Sequence, residues 1–460
     1  MNRSNILAMR RHLAAVLVGA LAIPSFCQAI EPPATGSANV HQQKAAVAQS
    51  EQIMAKAQGR NGLLSQYLFM RDAYANSTDV AFRLIFNQYL SWYQTWVGDY
   101  AGARSSFSIT QHAARDDAAS PLQGTQWHAQ PAVEAIAMLA RDRKAVFFNE
   151  NHSNALTRTL TVQMLAPLRE QGFDTFAAET LYQSDMPALA KRGYAISATG
   201  FYTEEPVYAD MVREALRLGY RVVAYEALSN AIGDAREAEQ ARNLVRDVYA
   251  EHPQARLVVN AGYAHIQEKG KYLGGAAMAQ HFARLSGFDP LTIEQTMMIP
   301  HELPSSDHPW YSEVIGKLAP KQPIVFVNGK GESWSLKDAY DLSVFFPMEV
   351  LQRGRPTWLA MGDLRMPFQV SGRICDLDYP CLVEARHAGD PDQAIPADRY
   401  VIEFKGRIAG YGDILRNSTD PYPIAELWLR PGKYEILARD RSNVIHHRQS
   451  IVVGKNKPGP

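Results

Sequence analysis

The sequence predicts an α/β protein: a mainly parallel sheet with flanking helices, preceded by a helical region and followed by a small antiparallel β-sandwich. Three observations carry this prediction. Four apolar runs of strand character, at 145–148, 175–178, 221–225 and 256–260, lack the polar alternation of a half-exposed strand, as a sheet buried on both faces requires. Segments of helical period lie between them. From about residue 368 the chain breaks into short alternating stretches bounded by Pro, Gly, Asn and Asp, the pattern of a sandwich.

The elements follow in chain order. Arg3, Arg10 and Arg11 precede an apolar run over 13–26, then Cys27-Gln28-Ala29 and polar sequence. That order reads as a secretory signal peptide over 1–29, cleaved near Ala29. The run is short for an anchor, and no later segment approaches the roughly 20 apolar residues of a membrane-spanning helix. The expectation is an exported protein, periplasmic or secreted, with no stable membrane insertion after signal cleavage. A Pro/Gly/Ser-rich stretch over 30–42 reads as a flexible leader, and 43–129 as a helical region. Within it, 80–96 places aromatic and aliphatic residues at three- and four-residue spacing, and Gly98-Asp99-Tyr100 ends the helix. One such unit is not a repeat array, so a helical layer packed on the next domain is expected.

The α/β domain is expected over 130–365. Its helices have recognisable ends: 157–170 stops at Gly172, a second opens at Pro206 and stops at Gly219, and 236–249 is closed by His252-Pro253. Strand–helix–strand at this cadence means parallel crossovers. Ile324-Val325-Phe326-Val327 reads as another buried strand, whereas His301 and His308 sit in loop-like sequence. The sandwich is expected over 366–454, with a hairpin turn at 429–434 and a tail over 455–460. His446 and His447 lie in the sandwich, expected toward solvent and toward a neighbouring strand respectively.

Composition narrows the partners. Lys+Arg and Asp+Glu both number 47, and no basic excess points to nucleic acid. Signal cleavage removes three arginines and no acid, so the basic count falls to 44. It also removes Cys27. Cys375 and Cys381, left as a lone pair in an exported chain, read as a local structural disulfide.

In open α/β sheets the ligand sits beyond the carboxyl ends of the strands. All four runs end there in a reactive cluster: Asn149-Glu150-Asn151-His152, Glu179, Glu226, and Gly262-Tyr263-Ala264-His265. A histidine after a strand commonly serves only as a hydrogen-bonded structural residue. His152 stands apart because Glu150 is two residues away and His265 holds a matching position. Such a set suits two jobs. It can hold a divalent transition metal that brings the pKa of water to about 7, or a His base oriented by a carboxylate can activate water directly. Glu226 could equally pair with an arginine, Arg236 could bind an anionic group or form a surface ion pair, and Tyr263 could donate to an oxyanion or merely pack. The Tyr- and Phe-containing loop over 193–208 reads as a lid or a packed segment. The sequence contains no GxSxG elbow, phosphate loop or HExxH helix.

Phe148-Asn149-Glu150-Asn151-His152, then Phe176-Ala177-Ala178-Glu179, then Asn260-Ala261-Gly262-Tyr263-Ala264-His265 resemble the superfamily of erythromycin esterases, ChaN-type haem-binding proteins and Tiki/TraB metalloproteases. Arg236-Glu237 is similar to its mid-domain Arg–acid turn, while Asn149 stands where the family usually has Gly. The likeness covers roughly 140–300. It implies Glu150, His152, Glu179 and His265 as the site, catalytic or metal-binding; beside them, Tyr263, Arg236 and Glu226 are this reading's candidates for contacting a small-molecule or peptide substrate. The leading expectation is an exported hydrolase, esterase- or lactonase-like or peptidase-like. Haem or metal capture without turnover is the alternative, and a non-catalytic scaffold binding a protein partner through the helical region or sandwich is the third.

Overall fold

The computed structural model describes residues 36–403 and 422–454. The signal peptide expected over 1–29, the first part of the leader and the tail 455–460 lie outside the described residues.

Four helices open the described chain: α1 (Gly36–Gln58), α2 (Leu63–Ala75), α3 (Val80–Trp96) and α4 (Tyr100–Ser106). The leader read over 30–42 is therefore helical from Gly36. After Gly36, no Pro or Gly interrupts the chain up to Gln58, so nothing stops the helix from propagating backwards. Helix α3 starts at a true cap, the Asp79 carboxylate accepting from the amides of Ala81 (2.9 Å) and Phe82 (3.2 Å). It buries Phe82, Phe86, Tyr89, Trp92, Tyr93 and Trp96 against its neighbours.

Next come β1 (Trp127–Pro131), α5 (Ala132–Leu139), β2 (Ala145–Glu150), α6 (Leu156–Glu170), β3 (Thr175–Ala178), α7 (Met186–Arg192) and α8 (Pro206–Arg217). They are followed by β4 (Arg221–Ala224), α9 (Asp234–Tyr249), β5 (Leu257–Gly262), α10 (Met278–Ser286), β6 (Leu291–Glu294), α11 (Pro309–Leu318), β7 (Ile324–Asn328) and β8 (Leu342–Ser343). Six strands form one sheet in the order β4-β3-β5-β2-β6-β8, and every pairing is parallel. Val146, Phe148, Phe176 and Val258 face a core shared with the N-terminal helices, α6 and α8. Phe147, Ala177, Val259 and Ala261 face α9 and α10. Both faces are covered, which explains why the four runs are apolar without alternation.

One detail is missing from the sequence reading and two extend it. Strand β6 has no counterpart among the four runs. Strand β7 is buried as expected but pairs antiparallel with β1, outside the parallel sheet. The position beyond β6 is taken by β8; β7 turns Val325 and Val327 to the main core and Ile324 and Phe326 to a smaller one with Tyr311, Val314, Trp334 and Phe345. His308 lies outside the helix, as the loop-like sequence implied, and caps α11 with Nδ1 accepting from Trp310 N at 3.1 Å.

The C-terminal part adds a short ladder of β9 (Leu351–Gln352) with β10 (Arg355–Pro356), then β11 (Met366–Ser371), β12 (Cys381–His387), β13 (Asp398–Ile402), β14 (Ile424–Leu429), β15 (Gly432–Arg439) and β16 (Ile445–Val453). A β11-β14 ladder and a β13-β12-β15-β16 sheet, all antiparallel, share a core of Val370, Leu427, Val383 and Ile436. Cys375 and Cys381 are bonded across that core's edge, with Cα atoms 5.9 Å apart. Among the described residues, no helix is long and apolar enough to cross a membrane.

Candidate functional site

Parallel register places the ends of β2, β3 and β5 side by side: Glu150 pairs with Gly262, and Ala178 with Asn260. The chain then turns sharply. Thr180 (φ 61°) and Tyr263 (φ 43°) are non-glycine residues in the left-handed region, each just past a strand that delivers a site residue.

The result is a buried chain of alternating acids and imidazoles. Glu150 Oε1 lies 3.0 Å from His152 Nδ1, and His152 Nε2 lies 3.6 Å from Glu179 Oε2. The other oxygen of Glu179 lies 3.5 Å from His265 Nε2, and His265 Nδ1 lies 2.7 Å from Glu237 Oε2. Every side chain in this chain is at most 6% exposed.

The charges are set by specific partners. Burial would raise Glu150, but Arg158 and His152 overcome it and hold its pKa at about 2. Arg158 grips both oxygens of Glu150, at 2.9 and 2.8 Å, and Asn260 Nδ2 donates to the same group at 2.7 Å. Glu179, likewise buried, is drawn down to about 2 by His265, His152 and Arg236, and accepts from the Gly262 amide at 2.6 Å. His265 goes the other way: burial opposes its charge, yet Glu237 and Glu179 raise its pKa. Because ionised Glu150 only accepts, it holds a proton on Nδ1 of His152, and Nε2 faces Glu179. Nε2 is therefore the nitrogen through which this imidazole can exchange a proton.

Aromatic rings roof the site. Tyr202 stacks on His152 with centroids 4.1 Å apart and 19° between planes, and Tyr263 meets the same imidazole edge-on at 5.1 Å. Phe201, next to Tyr202, packs on Trp92 and Trp96 of α3. The 193–208 loop is thus both packed and a cover, held down by the helical region. Tyr263 donates to Asn151 Oδ1 at 3.2 Å.

The expected residues Glu150, His152, Glu179 and His265 all meet. Glu226 and Arg236 join them, but as a buried pair: Arg236 Nε and Nη2 contact both Glu226 oxygens at 3.1 and 2.9 Å, and Nη2 reaches Glu179 at 3.2 Å. Arg236 is therefore not a surface residue, and its guanidinium is already occupied by carboxylates of the chain. Asn149 uses its side chain: Nδ2 donates to Tyr263 O (2.9 Å) and Oδ1 accepts from Gln295 N (2.6 Å), tying β2 to the loops after β5 and β6.

Arg158 and Asn260 are additions to the residues read from sequence, and Glu237, noted there only beside Arg236, is a full member. The signal for Arg158 was present: it is the sole charge in α6 before Arg169.

A divalent cation fits this set poorly. Three of its ligand atoms do not gather within 4.8 Å of one another, and both Nε2 donors share the site with the Arg236 guanidinium, 3.5 Å from His265 Nε2 and 3.2 Å from Glu179. A fixed cation there opposes a second one. Haem fits no better, since Tyr202 covers the face of His152 and Glu179 stands before its Nε2. A cavity of 770 Å³ opens elsewhere, around Trp127, Trp334, Glu268 and Asp341, and includes none of these residues.

No protein-family model matches the chain, and no curated protein matches it. Solved structures are similar at a distance. A type III effector, HopBA1, is 15% identical, with 48% of this chain covering 97% of that one at a TM-score of 0.31. RRSP, a MARTX toxin effector domain from Vibrio vulnificus, is 16% identical, with 58% covering 66% at 0.27. ChaN of Campylobacter jejuni, described with cofacial heme binding, is 10% identical, with 40% covering 95% at 0.27. Scores this low carry no argument about the chemistry of this chain.

Proposed function

We propose that this chain is an exported hydrolase of the superfamily its strand-end motifs resemble, in which His152 activates water directly. The observation that carries this reading is the Glu150–His152–Glu179 arrangement: an imidazole fixed in one tautomer by an ionised carboxylate, with its free nitrogen facing a second carboxylate. Water admitted beside His152 Nε2 and Glu179 would lose its proton to Nε2 as its oxygen attacks an ester, lactone or amide carbonyl. Glu150 stabilises the imidazolium that forms. His265, with its raised pKa, supplies a proton on the far side of Glu179 for the leaving oxygen or nitrogen. Arg158 and Arg236 hold the two carboxylates in place.

The site is closed, so substrate entry requires the Tyr202 segment to move. Export is supported by the arginine–apolar–small-residue order at the N-terminus and by the Cys375–Cys381 disulfide.

The test is hydrolysis of a panel of esters, lactones and peptides, with chelator present, by the wild-type chain and His152→Ala. Loss of a general base is expected to cost about 10²- to 10⁴-fold in kcat/KM with folding unchanged. Equal rates in the two proteins would overturn the proposal.

A further inference from the structure

A second cluster of ligand-type side chains lies in the sandwich, far along the chain from the strand-end site. We propose that Asp378, Asp440 and His446 form a binding site for a divalent transition-metal ion that clamps the β15–β16 turn to the disulfide loop. One ligand atom from each of the three lies within 4.8 Å of the other two. The trio pairs two hard oxygens with an imidazole, a donor set that suits zinc or manganese, whereas calcium and magnesium favour oxygen alone.

Each residue is held by structure independent of an ion. Asp378 is the middle of the five residues enclosed by the Cys375–Cys381 disulfide. Asp440 follows β15, and its Oδ1 is committed to the turn, accepting from Ser442 N and Val444 N at 2.8 Å each. Its Oδ2 is the remaining oxygen, 2.9 Å from His446 Nε2. Burial is graded across the trio: Asp440 is buried, Asp378 half-buried and His446 exposed, so an ion has both a floor and an entrance. Asp376 adds a third negative charge that bears on His446. Metal would take the place of the proton between Asp440 and His446, with water completing its coordination.

The place of the site gives it a consequence. The same turn touches the helical region: Asn61 Nδ2 donates to Ser442 O at 3.0 Å, and Gly62 faces Asn443 so closely that a Cβ would lie 2.6 Å from it. An ion at Asp440 therefore stiffens the point where the turn, the disulfide loop and the α1–α2 connection meet.

The experiment is calorimetric titration of zinc chloride, and separately manganese chloride, into the full chain. Three proteins are compared: wild type, His152→Ala/His265→Ala and Asp378→Asn/His446→Gln. About one zinc per chain is expected in the first two, with affinity lowered about tenfold or more in the third. His446→Gln alone, on an exposed side chain, gives the same comparison if the double variant does not fold, and zinc-free melting curves check folding. Zinc should raise the melting temperature of wild type and not of the His446 variant. Equal zinc affinity with and without Asp378 and His446, or binding abolished by His152→Ala/His265→Ala, would overturn the proposal.

Discussion

The Cβ that Gly262 lacks would lie 2.2 Å from Nε2 of His152. It would also lie 2.8 Å from Oε2 of Glu179, so a hydrogen at this position is what lets the end of β5 close against both residues. The backbone of Gly262 has φ −76°, which any residue can adopt, so the requirement is one of space and not of conformation.

Gly262→Ala is therefore expected to push His152 and Glu179 apart. Overpacking of this kind costs about 1–3 kcal/mol in stability. Misplacing the reacting groups by about 1 Å costs about 100-fold in rate. Denaturant unfolding and kcat/KM measured on the same preparation check both, and a variant unchanged in both would show that the contact yields freely.

Arg158→Met leaves the Glu150 carboxylate buried without its main cation, and also strips Glu205, which Arg158 contacts at 2.9 Å. Breaking a buried pair from one side costs about 3–5 kcal/mol. Adding Glu150→Gln to that variant should recover part of the loss, because the neutral amide no longer needs the partner. Additive losses in the double variant would argue against coupling of the two side chains.

The contribution of the buried acid–imidazole cluster to stability should fall on both sides of a window between about pH 5 and 6.5. Glu150 and Glu179 ionise near 2 in the folded chain against an ordinary 4.5. Their contribution is present above 4.5 and is lost as pH falls toward 2. The pKa of His265 is raised above 6.5, so its contribution is complete below that value and is lost as pH rises through the folded value. Urea midpoints across pH measure this, and His265→Asn should flatten the alkaline side alone.

Glu268 carries the opposite sign. Burial, then the neighbouring Asp341, push it up to about 7, while Thr292 Oγ1 donates to it at 2.6 Å. The folded chain keeps a proton that the unfolded chain gives up near 4.5, so stability declines as pH rises between those values. Glu268→Gln is expected to melt about 1–3 °C above wild type at pH 8 and level with it at pH 4. Its hydrolytic activity should match wild type, since this group lines the separate cavity. A lower melting temperature at pH 8 would show that the ionised group is stabilising there.

The outline of the α/β part was legible because its signals are local. Ala145 to Phe148 and Leu257 to Val259 are apolar throughout, and Pro206 and Gly219 bracket a helix whatever the chain does elsewhere. The pairing of Glu150 with His152 could be read from adjacency alone. Arg236 was harder, because a charged residue near a helix start looks the same whether it faces solvent or a buried carboxylate. Strand β7 was legible as a buried strand, but not its pairing with β1, because an apolar run records burial and says nothing of its partner.

The sequence by itself determined the parallel sheet, the strand ends at which the acids and histidines emerge, and the alternating strands of the sandwich, since these depend on residues a few positions apart. Only the tertiary structure decided that Glu179 stands between two imidazoles, that Arg158 closes on Glu150, that Tyr202 roofs His152 and that Gly262 must remain bare. Those relations join segments 8 to 110 residues apart, and their distances depend on strand register and packing, which no single stretch of chain contains.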